Sequence, residues 1–276
     1  MIPADFVAEW RAQAPWAESS QVEQDLVISR ALVELFSHPL VAGSLAFRGG
    51  TAVHKLCLPS PGRYSEDIDL VQMKPEPIGE VLDALRSKLD PWLGEPKRKF
   101  GHGRVTATYR FESTFQPVQR MRLKVEINTR EHFSVLGWKS RPFAVRSRWF
   151  TGEAVVTTYA LDEMLGTKLR ALYQRRKGRD LFDLWWAAEH AEVDFDRLVR
   201  CFADYVDHGG QRISRAEFEA NLASKLDDAL FSADLEPLLA PGVEWNRAAA
   251  ARLVADRLAP RLPGEPWQGP GVQAAG

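Results

Sequence analysis

Cysteine is nearly missing from this chain of 276 residues: only Cys57 and Cys201 occur, far apart, with no partner cysteine or histidine at ligand spacing. That excludes a disulfide framework and a zinc cluster, and both residues are expected to be buried, reduced thiols. The histidines at 38, 54, 102, 132, 190 and 208 show no metal-ligand spacing either, and no nucleophile elbow supports Ser-His-Asp chemistry. Long apolar runs are absent, and Met1-Ile2-Pro3-Ala4-Asp5 lacks the basic-then-apolar order of a secretory signal, so no membrane association and a cytoplasmic location are expected. Internal repeats are absent as well. Net charge is close to nil, -1 with pI about 6.6, so any attraction for a polyanion must be local.

Local asymmetry does exist. Residues 86–148 hold 15 Lys+Arg against 5 Asp+Glu, whereas residues 189–262 hold 9 against 14. The basic stretch includes Lys97, Arg98, Lys99, Arg104, Arg110, Arg120, Arg122, Lys124 and Arg130, with Tyr109, Phe111, Phe133, Trp138 and Trp149 interleaved. Two interpretations stand side by side: cations and aromatics that hold unpaired nucleic-acid bases, or an amphipathic sheet with a charged outer face.

The densest chemistry lies in Phe47-Arg48-Gly49-Gly50-Thr51 and Arg63-Tyr64-Ser65-Glu66-Asp67-Ile68-Asp69-Leu70. In a strand, side chains two apart share a face, so Asp67 and Asp69 point together while Ile68 and Leu70 point to a core. Two adjacent carboxylates require a cation, and hard oxygen donors suit Mg²⁺, which keeps waters and completes its shell with substrate phosphates. Gly49-Gly50 begins a helix whose amides can meet phosphate oxygens. Ser65 is a further phosphate ligand if the strand reaches it, or simply a turn cap. Arg63 and Arg48 are phosphate ligands or counter-ions.

Periodicity predicts a helix over 20–37, capped by Ser20 with Glu23, a strand over 44–48, a helix over 51–58, a strand over 66–72 and a helix over 78–89. Strands are expected over 105–111, 121–128 and 154–158, and mostly helices from 159 onward. Within 121–128, Glu126 faces away from Val125 and Ile127, making it a third-carboxylate candidate for the metal. The architecture is therefore expected to be α+β, with a mixed-sheet domain flanked by helices at 1–158, a mostly helical domain at 159–262 and a flexible Pro/Gly-rich tail at 263–276.

The conjunction of Gly-Gly-Thr and Ser-x-Asp-x-Asp resembles the nucleotidyltransferase superfamily built on a DNA-polymerase-β-like palm. More narrowly, it is similar to the AbiEii and MenT group of toxin nucleotidyltransferases, over about residues 30–190. Lys168, in Leu165-Gly166-Thr167-Lys168, and Asp180 and Asp183, in Arg179-Asp180-Leu181-Phe182-Asp183, match the later motifs of that group. The resemblance implies a site of Asp67, Asp69, Lys168 and Asp183, with Gly49, Gly50, Thr51, Arg63, Ser65 and Lys168 binding the nucleotide. Asp67, Asp69 and Glu126 would hold two Mg²⁺ ions, Mn²⁺ being the alternative. It also implies a toxin that transfers NMP from an NTP to RNA, the tRNA 3′ end being the family precedent, and that is restrained by a cognate antitoxin. Rival readings are a small-molecule nucleotidyltransferase of the aminoglycoside-modifying type, which needs an acidic acceptor pocket, and a non-catalytic nucleotide- or partner-binding module.

Overall fold

The computed structural model describes residues 2–231 and 233–269 and separates into two compact units. The first comprises Met1–Leu56 with Arg63–Tyr159, and the second Cys57–Gly62 with Ala160–Gly276.

The first unit opens with α1 (Ala4–Trp10), α2 (Ser19–Phe36) and α3 (Pro39–Ser44). Then come β1 (Leu45–Arg48), α4 (Gly49–Ala52) with its π-helical continuation Val53–Cys57, β2 (Asp67–Gln72) and α5 (Gly79–Leu93). Five further strands follow: β3 (Lys97–Gly101), β4 (Arg104–Glu112), β5 (Arg120–Asn128), β6 (Lys139–Arg146) and β7 (Thr151–Thr158). They form one mixed seven-stranded sheet in the order β3-β4-β5-β2-β1-β7-β6. The expected α+β class holds.

The alternation foreseen in β2, β4 and β5 is what builds the core. Ile68 and Leu70, Val105, Ala107 and Tyr109, and Leu123, Val125 and Ile127 are all buried on one face of the sheet. That face meets the layer of α2 and α5, as the Tyr109 hydroxyl shows by donating to Asp90 of α5 at 2.9 Å. Each large apolar side chain removed from water there contributes roughly 1.5–3 kcal/mol.

Two strands were not legible in advance, β3 and β6. Every residue of Lys97–Gly101 is exposed, and Lys139–Arg146 contains Pro142 and charges, so neither carries a buried apolar stripe. Both are sheet edges, where charge and proline are tolerated because one side needs no hydrogen-bonded neighbour. The cap of α2 also differs from expectation. Glu18 and Gln21 form the capping box, while Glu23 is buried and accepts the Thr114 amide at 2.9 Å.

The second unit is helical, with α6 (Leu161–Gln174), α7 (Gly178–His190), α8 (Phe195–His208), α9 (Arg215–Leu226) and α10 (Arg247–Leu253). Leu165, Leu169, Leu181, Leu198, Phe202 and Phe218 are among its core residues. Gly166 lets α6 and α8 approach closely: a Cβ there would lie 2.8 Å from the Cys201 Cβ. The expected tail starts with fixed contacts, since Pro263 accepts from the Arg215 amide at 2.8 Å and the Trp267 amide donates to Glu219 at 2.8 Å. Its remainder, 270–276, lies outside the described residues. Among the described residues no helix is long and apolar enough to cross a membrane.

Candidate active site

Strand pairing assembles the carboxylates. β2 runs antiparallel to β1, which sets Arg48 opposite Asp69, and parallel to β5, which sets Lys124 opposite Asp67 and Glu126 opposite Asp69. Paired residues share a face, so Asp67, Asp69, Lys124 and Glu126 line the side of the sheet away from α2 and α5. Glu126 thus lies beside the Asp pair, in the adjacency the sequence alone left open.

Gly49 begins α4 at φ +83°, a left-handed backbone that favours glycine. The site needs its bareness for a second reason: a Cβ there would lie 2.4 Å from Asp69 Oδ2. Gly50 is equally hemmed in, its absent Cβ falling 2.5 Å from Arg63 Nη2. The glycine turn and the Asp pair are therefore one structural object.

Thr51 ties that object together. Its hydroxyl donates to the Asp67 carbonyl at 2.6 Å, so its single proton is used, and the 2.8 Å contact with Ser65 has the Ser65 hydroxyl as donor. Ser65 precedes β2 rather than extending it. Arg63 is interior, 2% exposed, with Nη1 donating to the Tyr64 carbonyl at 2.9 Å. Arg48 pairs with Glu131 at 2.8 Å.

Electrostatics on this face are unusual for a surface. Lys124 Nζ lies 2.9 Å from Glu126 and 3.8 Å from Asp67, and Arg104 reaches Glu126 at 3.5 Å. Burial, followed by the charges of Asp69 and Glu66, pushes the Asp67 carboxyl up to about 6 against the opposing pull of Lys124 and Arg122. Burial works against the Lys124 ammonium, but the Glu126 hydrogen bond and the charges of Asp67, Glu126 and Asp69 raise its pKa above the ordinary lysine value.

The donor set fits a hard divalent ion. Asp67 and Asp69 supply carboxylate oxygens side by side, and Lys124 already stands as a cation between Asp67 and Glu126. Among the described residues no three His, Cys, Asp or Glu side chains close into a metal cage.

The same register sorts the basic stretch. Lys97 and Lys99 pair with Thr108 and Thr106, which pair with Lys124 and Glu126, while Arg110 pairs with Arg122 and Arg104 with Asn128. Lys97, Lys99, Arg104, Arg110, Arg122 and Lys124 consequently share the carboxylate face. Of the interleaved aromatics, Tyr109 does not join them, and Trp138 and Trp149 each pack against another ring. Tyr109 sits at a core position, Trp149 packs edge-on against Trp92, and Trp138 against Tyr159.

Residues that sequence reasoning missed lie behind the site. Gln24 of α2, 3% exposed, donates to the Arg122 carbonyl at 2.9 Å and the Glu66 carbonyl at 3.3 Å. It ties the start of β2 to β5. Asp25 accepts from Lys55 at 2.9 Å and from the indoles of Trp10 and Trp16, fixing the π turn after the glycines. A polar Gln24-Asp25 pair inside an apolar helical stretch was the available signal.

In the second unit Lys168 is buried with its ammonium 2.8 Å from Asp183 and 3.4 Å from Asp180, both carboxylates being fully buried. Asp180 also takes a two-pronged contact from Arg175, at 2.7 and 2.8 Å. Asp180 is thus more than a helix-terminus acid.

The family described as "Nucleotidyl transferase AbiEii toxin, Type IV TA system" matches residues 30–253. Among solved structures the chain is similar to MenT4, a nucleotidyltransferase toxin from Mycobacterium tuberculosis H37Rv. The TM-score is 0.68 at 22% identity, over 94% of this chain and 89% of that one. JHP933 from Helicobacter pylori follows at TM-score 0.54 and 17% identity, over 88% of this chain and 95% of that one. At these identities the structural likenesses establish the fold. No curated protein matches the chain. With the sequence match spanning most of its length, the chain belongs to the AbiEii family of nucleotidyltransferase toxins of type IV toxin–antitoxin systems.

Proposed function

We propose that the protein transfers NMP from an NTP to RNA, the 3′ acceptor end of tRNA being the expected acceptor, and that it blocks translation and growth until a cognate antitoxin restrains it. The observation that carries this reading is the shared face of the sheet. Asp67 and Asp69 stand there in one line of strands with Lys97, Lys99, Arg104, Arg110 and Arg122. Nucleotide chemistry and a cationic path for a phosphate backbone are adjacent, which favours a polyanionic acceptor over a cationic drug.

Asp67 and Asp69, with Glu126 beside them, are the residues that would hold Mg²⁺, or Mn²⁺ in its place. Two such ions, when bound, relieve charge on the attacking and leaving oxygens. The amides at Gly49, Gly50 and Thr51 donate to triphosphate oxygens, and Ser65 turns its hydroxyl from Thr51 to the same group. Arg63 backs the glycine turn from below. Lys168, oriented by Asp183, neutralises charge on the triphosphate. The acceptor hydroxyl attacks the α-phosphorus in line; a P–O bond forms to the acceptor as the bond from the α-phosphorus to the bridging oxygen of the β-phosphate breaks, pyrophosphate leaves, and the hydroxyl proton passes to solvent.

The acceptor is tested by incubating the protein with each α-labelled NTP and, in turn, total RNA, purified tRNA and an aminoglycoside panel. Label in tRNA is expected, and Lys97→Glu with Lys99→Glu should weaken RNA binding and lower its salt slope by about 0.7 per lost phosphate contact. Label entering only small molecules or protein would overturn the RNA reading.

A further inference from the structure

The Lys124 ammonium touches two of the three carboxylates assigned to the metal. Its place is fixed by strand pairing, opposite Asp67 and two residues before Glu126 on the same face. Its Nζ lies 2.9 Å from Glu126 Oε2 and 3.8 Å from Asp67 Oδ2, and its side chain is only 32% exposed. An ammonium is a compact cation with three donors, so it satisfies carboxylate oxygens much as a metal ion does.

We propose that Lys124 is a resident cation that competes with divalent ions for Asp67 and Glu126, keeping the free protein's affinity for metal low until a triphosphate arrives. This rests on the reading of Asp67, Asp69 and Glu126 as metal ligands. A divalent ion approaching those oxygens must displace the ammonium from Glu126 or sit within a few ångströms of it, and either cost falls on the nucleotide-free protein. A bound triphosphate brings negative charge that offsets the same ammonium, so metal and nucleotide enter as a pair. Arg104, 3.5 Å from the other oxygen of Glu126, is 59% exposed and better screened by solvent, so it competes less.

The test is Mn²⁺ uptake by the nucleotide-free, full-length protein, read from the electron paramagnetic resonance signal of unbound Mn²⁺. Lys124→Met removes the charge, and Lys124→Gln removes it while keeping a donor for Glu126. Thermal melts establish which variants are folded. Each folded charge-neutral variant should bind Mn²⁺ about tenfold more tightly than the parent. Adding Glu126→Gln should cancel that gain, and Lys124→Arg should leave uptake at the parent level. Charge-neutral variants that fold and bind Mn²⁺ no more tightly would overturn the proposal, as would loss of folding in both while Lys124→Arg folds, because the ammonium would then be a structural requirement. Asp67→Ala separates the two claims. If it abolishes uptake in parent and variant alike, the carboxylates are the metal ligands whatever Lys124 does; if uptake persists, the site assignment itself fails.

Discussion

Asp69 of β2 and Glu126 of β5 stand directly opposite each other in a parallel ladder, with Gly49 so close to Asp69 that a single methyl group would strike its carboxylate. Three segments distant in sequence are thereby locked to one point on the sheet. Small changes behind that point should cost function before they cost the fold.

Gly49→Ala is the sharpest case. The substitution meets left-handed backbone and a 2.4 Å clash with Asp69, so it should destabilise by about 1–2 kcal/mol while displacing the carboxylate. A displacement near 1 Å costs roughly 10²-fold in rate. Melting and NMP transfer measured on one preparation check this. Gly43→Ala, inside α3 with nothing within 4 Å, should cost neither stability nor transfer.

Gln24 makes no contact with the carboxylates and should still matter to them. Gln24→Leu leaves the Glu66 and Arg122 carbonyls without their donor, at about 1–3 kcal/mol in urea unfolding. Transfer should lose kcat more than it raises KM for NTP, because register rather than binding is disturbed. Gln24→Glu, which cannot donate when ionised, should be worse than Leu.

Lys168 demands a paired design. Removing its ammonium takes a cation from Asp180 and Asp183, both fully buried, of which Asp180 keeps Arg175, so Lys168→Met should destabilise by about 3–5 kcal/mol and lose activity for that reason alone. Adding Asp183→Asn removes the buried charge nearest the lost ammonium and should recover much of the stability. If Lys168 serves the triphosphate, transfer stays lost in the restabilised double variant; recovered transfer would show the role to be structural.

The raised Asp67 carboxyl has a definite sign. The fold holds this proton more tightly than the unfolded chain, so Asp67 contributes stability that is present below the ordinary carboxyl range and is lost as pH rises through about 6. Asp67→Asn does not titrate. In metal-free buffer the variant should therefore gain on the parent between about pH 4 and pH 7 and then hold level. Urea midpoints that run parallel across that window would contradict the desolvated carboxyl.

The sequence revealed most where one face of an element is buried. Ile68 and Leu70 alternate with Asp67 and Asp69, and Val125 and Ile127 flank Glu126, so strand, face and candidate ligands were all legible together. Strands β3 and β6 were hidden because edges need no apolar stripe. The role of Gln24 was hidden because its partners are main-chain carbonyls, which leave no mark in side-chain pattern. Lys124 stood in plain view two residues before Glu126, but counted only as one cation in a basic stretch until pairing set it against Asp67. Tyr109 was ambiguous for the complementary reason: in an alternating strand, its place between Thr108 and Arg110 marks the core side.

One measurement bears on the central claim above all others: transfer of α-labelled NMP to RNA by the parent protein, Asp67→Ala and Asp69→Ala under identical Mg²⁺ and NTP. The parent should label an RNA band with at least one NTP, and both variants should lose the label by at least about 10³-fold while melting as cooperatively as the parent. Undiminished labelling by a folded Asp67→Ala protein, or no labelling by the parent with any of the four NTPs, would contradict the account.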